Sequence, residues 1–320
     1  MFDNENKQQR FEEKLLTKVA MAGVVEQRRG RRLKFVMFLM ALAYIPFVAL
    51  VIPMLSKDIN GLSALTEDHI AVVEVKGVIA PESEASASIV VTGLRDALES
   101  ENSKAVILRI NSPGGSPVQS DLIYKEILRL RLLYPEKPIY SVIEDIGASG
   151  AYYIAAATEN IYASESSIVG SIGVTSGGSF GFVEVLEKLG VERRIYTSGE
   201  NKAFLDPFLP EKASDKQRYE SMLKNVHKQF IAAVEGERKE RIKPGADVFN
   251  GYVWTGEESL ELGLIDAYGS VGSVSRDVLH VEELVNYTPR ADFLSRFAKQ
   301  IGVSAADTLM KTLLPAPSFK

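Results

Sequence analysis

Ser149 stands in GASGAYYIAAA (147–157), among glycines and alanines, where the hydropathy pattern turns from an apolar strand into a helix. A serine at a helix N-terminus, beside the backbone N–H of Gly150, has the parts of an acyl-transfer nucleophile. Its hydroxyl can attack a carbonyl, and the N–H can hold the oxyanion that forms. A second stretch, NSPGGSP (111–117), supplies Gly114 and Gly115. Without side chains, their backbone N–H groups can come close to a substrate oxygen. Both stretches also have plainer readings. SPGG is a generic tight turn, and small residues after Ser149 let a helix pack closely on a sheet. It is the pair, at the ends of adjacent strands, that points to a serine site.

Such a serine needs a base. Cysteine is absent, which excludes thiolate chemistry, disulfides and cysteine-based zinc sites. The three histidines, His69, His227 and His280, are far apart and in no metal-ligand spacing, so no metal and no cofactor is expected. His69 precedes the sheet, and His227 lies beside the apolar stripe of a long helix as a boundary residue, so a Ser-His-Asp triad lacks its histidine. A lysine can serve instead where burial disfavours the ammonium and leaves a neutral amine. Lys202 in YTSGENKAFLDPF (196–208) is the candidate, with Gly199, Ala203, Phe204 and Leu205 around it rather than a charge run. Its bland reading is a solvated loop lysine.

The elements that must position these residues follow an alternating pattern. Segments 69–80, 104–110 and 138–145 read as strands, and 89–100 and 117–134 as helices, a βαβαβ rhythm whose sites form at the carboxyl ends of the strands. Ser116, Pro117 and Gln119 make a full helix start: a cap, a first-turn proline and a capping-box partner. Ile123, Ile127, Leu130 and Tyr134 then form one apolar face. Tyr219, Met222, Leu223, Val226, Phe230 and Val234 trace another amphipathic helix within 213–239. VERRIYT (191–197) reads as a strand, and 294–314 as a tail helix used in assembly. No internal repeat stands out.

The chain has 320 residues, 46% of them hydrophobic, and a net charge of −5, which is globular composition without a basic field, so nucleic acid is not expected as a partner. Residues 35–55 run without a charge for long enough to span a bilayer and are expected to be a transmembrane helix in contact with lipid. Arg28, Arg29, Arg31, Arg32 and Lys34 precede it and Lys57 follows. The positive-inside rule therefore keeps the tail 1–34 cytoplasmic and exports the rest. The long tail, the long apolar run and the poor small-x-small site in IPMLSKD argue against a cleaved signal peptide. No Pro/Gly/Ser-rich linker divides the remainder, so 56–290 is expected to be one catalytic domain and 291–320 a tail.

These residues resemble the bacterial Ser-Lys signal peptide peptidases of the signal peptide peptidase A family, in its short, single-domain form. The likeness rests on ILRINSPGG (107–115), DIGASGAYYIAAATENIYASESSIVGSIGV (145–174), SGENKAF (198–204) and YVWTGEESLELGLIDAYGS (252–270). It implies a ClpP/crotonase-like α/β fold of repeated ββα units. It also implies Ser149 as nucleophile, Lys202 as general base, and Gly114 or Gly115 with Gly150 as oxyanion donors. Ser171 falls where the family has a serine that orients the lysine, and Ser259 stands where the wider group more often has alanine. The resemblance further implies a homo-oligomer in whose absence the site is incomplete, a single-pass anchor in the bacterial inner membrane, and a periplasmic body. Substrates would be cleaved signal peptides, with Tyr152, Tyr153 and Phe204 able to line a groove. Two rivals share parts of this reading: a related membrane peptidase acting on mature envelope proteins, and a crotonase-type acyl-CoA enzyme. A non-enzymatic scaffold would be free to lose Ser149 or Lys202, yet both are present.

Overall fold

The computed structural model describes residues 67–289, together with Lys34, 37–42 and 44. The chain separates into two units, Met1–Ser63 and Ala64–Lys320. In the first, 37–42 and 44 are helical and exposed, and most of the expected span 35–55 lies outside the described residues, as does the expected tail helix 294–314. Among the described residues no helix is long and apolar enough to cross a membrane.

The second unit is built on one mixed, eight-stranded sheet: β1 (His69–Lys76), β2 (Ser103–Ser112), β3 (Ile139–Ala148), β4 (Asn160–Ala163), β5 (Ile168–Gly170), β6 (Val253–Thr255), β7 (Ala267–Tyr268) and β8 (Leu284–Asn286). The order is β6-β5-β3-β2-β1-β8, with β4 also on β3 and β7 on β4, and among the described residues only the β5–β6 pairing is antiparallel. Parallel neighbours require crossovers. Two are the helices α1 (Ala87–Glu99) and α2 (Pro117–Leu133), and a short α3 (Gly150–Ala155) follows β3. Side chains alternate along the strands as a period of two demands. Val73, Val106, Leu108 and Ile143 face α1, α2 and α3 in the main core, whereas Ile70, Ile107 and Val142 face a smaller cluster with Tyr162 and Val274.

α2 starts as expected, with Ser116 Oγ accepting from Gln119 N at 3.4 Å and proline in its first turn, but the capping box is only half formed. The Ser116 N–H is already donated to Ile79 O, so Gln119 turns its Oε1 to the N–H of Ala87 and caps the start of α1 instead. The expected strand 191–197 is not formed: those residues are exposed and pair with no strand among the described residues. β-branched and aromatic residues make a strand only where an edge is there to pair with.

β3 serves two partners because its register shifts. Ile110 of β2 pairs with Ile143, yet Ser112 pairs with Gly147, so β3 takes two more residues than β2 over that interval. Before this irregularity β3 pairs with β4, and after it with β5. Ser167 fills the fork, its hydroxyl donating to Glu144 O. The carboxyl end of β3 is thereby offset toward β5.

Between β5 and β6 come α4 (Val183–Lys188) and α5 (Ala213–Arg238); α6 (Gly256–Leu262) follows β6 and α7 (Val271–Ser273) follows β7. The end of α5 is anchored by Arg238, 1% exposed, whose guanidinium donates to Asp266 and to Gly263 O. Asp266 also accepts from Arg241 and from the Ile161 N–H, tying α5 to β4. Removing one member of a buried ion pair strands the other. Asp266→Ala should therefore lower the unfolding free energy in urea by about 3–5 kcal/mol. Arg241→Ala, at a more exposed guanidinium, should cost no more than about 1 kcal/mol.

Candidate active site

Ser149 occupies the turn between β3 and α3 with φ 53° and ψ −124°, a backbone conformation that a non-glycine residue holds only under restraint. The restraints are visible: its N–H donates to Gly170 O at 2.8 Å, and its carbonyl accepts from Tyr153 N at 3.0 Å. Among the described residues its Oγ has no hydrogen-bond partner, and it opens into a cleft of about 750 Å³. Ala148 pairs with Gly170, so Ser149 and Ser171 leave adjacent strand ends side by side. Ser171 also has φ 53°, donates its N–H to Tyr252 O, and lines the same cleft.

The glycine loop closes on this turn from the β2 side. A Cβ on Gly114 would lie 2.7 Å from Gly150 N and 2.8 Å from Ser149 Cβ, and one on Gly115 would lie 2.1 Å from Ile79 O. Neither position tolerates a side chain. The two glycines differ in one respect that their sequence does not reveal. Gly114 N–H donates to Ser112 Oγ at 3.1 Å and is occupied, so its part in the site is steric. The N–H groups of Gly115 and Gly150 have no partner among the described residues, and a Cβ on Gly150 would lie 3.3 Å from Gly115 N. Two free donors therefore sit close together beside the serine, the arrangement an oxyanion needs.

Lys202 is not brought to this cleft within one chain. It is exposed in a turn where its N–H donates to Gly199 O, and it is not among the cleft-lining residues. Its surroundings are unusual, since from Gly173 to Gln229 no residue is buried. Phe182 stacks on Phe208 and Arg193 pairs with Asp206, so the segment packs on itself, leaving Phe180, Leu189 and Tyr196 more than two-thirds exposed. Of the residues expected to line a groove, Tyr153 lines the cleft, Tyr152 is fully buried, and Phe204 lies in this exposed segment against Tyr219. Tyr152 serves the fold instead, its hydroxyl donating to Leu264 O, and burial pushes its pKa up to about 12.

His227 is the half-buried boundary residue that its place beside the stripe predicts. It sits at the edge of the α5 apolar stripe, yet it lines the Ser149 cleft, with Nε2 3.0 Å from Ile172 O. A carbonyl only accepts, so Nε2 carries a proton there and is engaged with Ile172 O. Asp121, Asn250 and Gly251 also line the cleft and were not anticipated. The helical position of Asp121, one turn into α2, was the only signal available for it.

The profile of peptidase family S49 matches residues 131–284, which include Ser149, Ser171 and Lys202. A Synechocystis protein provisionally named a protease is 33% identical over 208 residues, 64% of this chain and 71% of that protein. The chain belongs to peptidase family S49. An Enterococcus faecium S49 relative, provisionally named signal peptide peptidase SppA, is 30% identical over 67% of each chain, and the likeness read from the sequence motifs is borne out. A Brucella abortus protein named as the Na(+)/H(+) antiporter NhaA is 48% identical over 183 residues, 57% of this chain. This S49 chain spans only 25% of the length of that relative.

The glycine geometry makes a prediction independent of activity. Gly115→Ala cannot be accepted without moving the Ile79 backbone, so its unfolding free energy should fall by at least about 2 kcal/mol. Gly178→Ala, where a Cβ meets nothing within 4 Å, should stay within about 0.5 kcal/mol of the wild type in the same urea titration.

Proposed function

We propose that the chain is a serine endopeptidase with a Ser149–Lys202 dyad completed between subunits. The observation that carries this reading is the unpartnered Ser149 hydroxyl next to the free N–H groups of Gly115 and Gly150. Ser149 attacks the peptide carbonyl, its proton passes to the neutral amine of Lys202, and the bond to the leaving amine breaks once that nitrogen receives the proton. The two N–H groups hold the tetrahedral oxyanion, and water then hydrolyses the acyl-enzyme. Ser171, at the neighbouring strand end, orients the lysine.

Two features support completion by a second copy. Lys202 stands on a segment without a buried residue, and that segment exposes large apolar side chains of the kind monomeric surfaces rarely leave uncovered. Docked on a neighbouring subunit, the segment would lose that exposure and its lysine would enter a drier site, where the neutral amine a base requires is favoured. The fold reading that goes with this assembly is ClpP/crotonase-like.

The charge-free run 35–55 and the arginines before it support a single-pass anchor in a bacterial inner membrane, with the peptidase body in the periplasm. Cleaved signal peptides, apolar and left close to the membrane, are the substrate class that suits this placement. The relative named as a signal peptide peptidase agrees with it.

Ser149→Ala and Lys202→Ala should each reduce cleavage of an apolar signal-peptide-like substrate by at least about a thousandfold while leaving assembly unchanged. Mixing the two inactive variants under subunit exchange should restore part of the activity, because some interfaces then pair an intact serine with an intact lysine. An active Lys202→Ala variant would remove lysine from the mechanism. A mixture that stays inactive despite proven exchange would return the base to the same chain.

A further inference from the structure

Among the described residues that line the Ser149 cleft, Asp121 is the one carboxylate. The same helices bring apolar groups to the cleft, Val118 from α2 and Val226 and Phe230 from α5, alongside the polar Ser120, His227 and Gln229. The position of Asp121 is set from α3. Tyr153 lies four residues beyond Ser149, on the same helix face and one turn of about 5.4 Å along it. The Tyr153 hydroxyl donates to Asp121 Oδ1 at 3.2 Å, and its ring is wedged between Tyr124 and Phe230, with centroids 5.1 and 4.9 Å away. Burial, together with the adjacent Asp121 charge, pushes the Tyr153 phenol well above its ordinary value, so it remains a donor.

The other oxygen, Oδ2, meets Lys125 Nζ at 2.6 Å, but that lysine side chain is 70% exposed against 34% for the aspartate. An exposed pair at i,i+4 is held weakly. A carboxylate offers about four acceptor positions, so Tyr153 and Lys125 leave room for further donors. An apolar substrate side chain at this end would strip water from the carboxylate and return nothing to it.

We propose that Asp121 sets the substrate preference of this site by receiving the cationic head of a substrate lysine or arginine whose aliphatic stem lies along Val118, Val226 and Phe230. The assignment rests on the peptidase reading and adds to it a substrate class that the catalytic residues alone do not define. Lys125 is then the cation that holds the carboxylate between turnovers and yields it to substrate.

The test uses the full chain and N-acetylated peptides that differ only in the residue before the cleaved bond: lysine, acetyl-lysine or leucine. The lysine peptide should show kcat/KM about tenfold or more above the other two, the worth of a charge-assisted hydrogen bond. Asp121→Asn keeps an acceptor for Tyr153 and should abolish the difference by slowing the lysine peptide alone, whereas Lys125→Ala should widen it. An equal loss on all three peptides would reduce Asp121 to a support for Tyr153 and overturn the proposal, as would a lysine preference that survives Asp121→Asn. A preference that appears only when the peptide N-terminus is left free would overturn the assignment to a side chain. If the wild type cleaves none of the peptides, the peptidase reading falls separately, and calorimetric binding to Ser149→Ala still decides. Tighter binding of the lysine peptide that is lost with Asp121→Asn supports the pocket, and equal or absent binding overturns it.

Discussion

Backbone meets backbone where the 111–117 loop reaches the Ser149 turn, and the rest of the site depends on that contact. Gly114 lies so close to Gly150 N and Ser149 Cβ that a single methyl group would not fit, and Gly115 is as close to Ile79 on its other side. Such an approach requires that the ends of β1, β2 and β3 arrive at the same level. The parallel ladders provide this: Lys76 pairs with Asn111, Ser112 with Gly147, and the isolated bridge of Ile79 with Gly115 carries the alignment into the loop. The Gly114 N–H is spent on Ser112 in holding the loop, which leaves Gly115 facing Gly150 with its own N–H free.

The same alignment explains the strained serine. A residue with φ 53° is unfavourable by about 1–3 kcal/mol and persists only where its neighbours fix it. Ser149 is fixed on both sides, by Gly170 O in the next strand and by the first turn of α3. The offset in β3 is what lets Gly170 be that neighbour. Without the two extra residues between Ile143 and Gly147, β3 would meet the last strand pair out of step, and Ser171 would not emerge beside Ser149. Strain at Ser149 and irregularity in the ladder are thus one feature seen at two distances.

Much of this was legible in the sequence, for identifiable reasons. The three central strands and α1 and α2 follow from alternation and helical periodicity in long segments, and Ser149 from small residues at a strand-to-helix junction. What escaped depended on tertiary partners. The capping box at Ser116 looked complete, but Ile79 O had already taken the N–H that Gln119 was to satisfy. VERRIYT had strand composition and no edge to pair with. His227 lies at the margin of an apolar stripe, where periodicity cannot say which neighbour it will meet, and it meets Ile172 O across the cleft. Gly114 and Gly115 are alike as residues and are separated only by the hydroxyl of Ser112.

The separation of Lys202 from Ser149 within one chain has a physical consequence of its own. In the proposed dyad a serine beside free oxyanion donors still needs a base to take its proton, so the serine and the lysine act only when brought together. If docking of the 173–212 segment on a neighbour both dehydrates the lysine and aims it, activation is tied to the burial of Phe180, Leu189 and Tyr196, not to a separate switch. The free energy that forms the interface would then be the same free energy that makes the base. Activity would be confined to the assembled protein, and peptides in transit past a lone subunit would be left uncut.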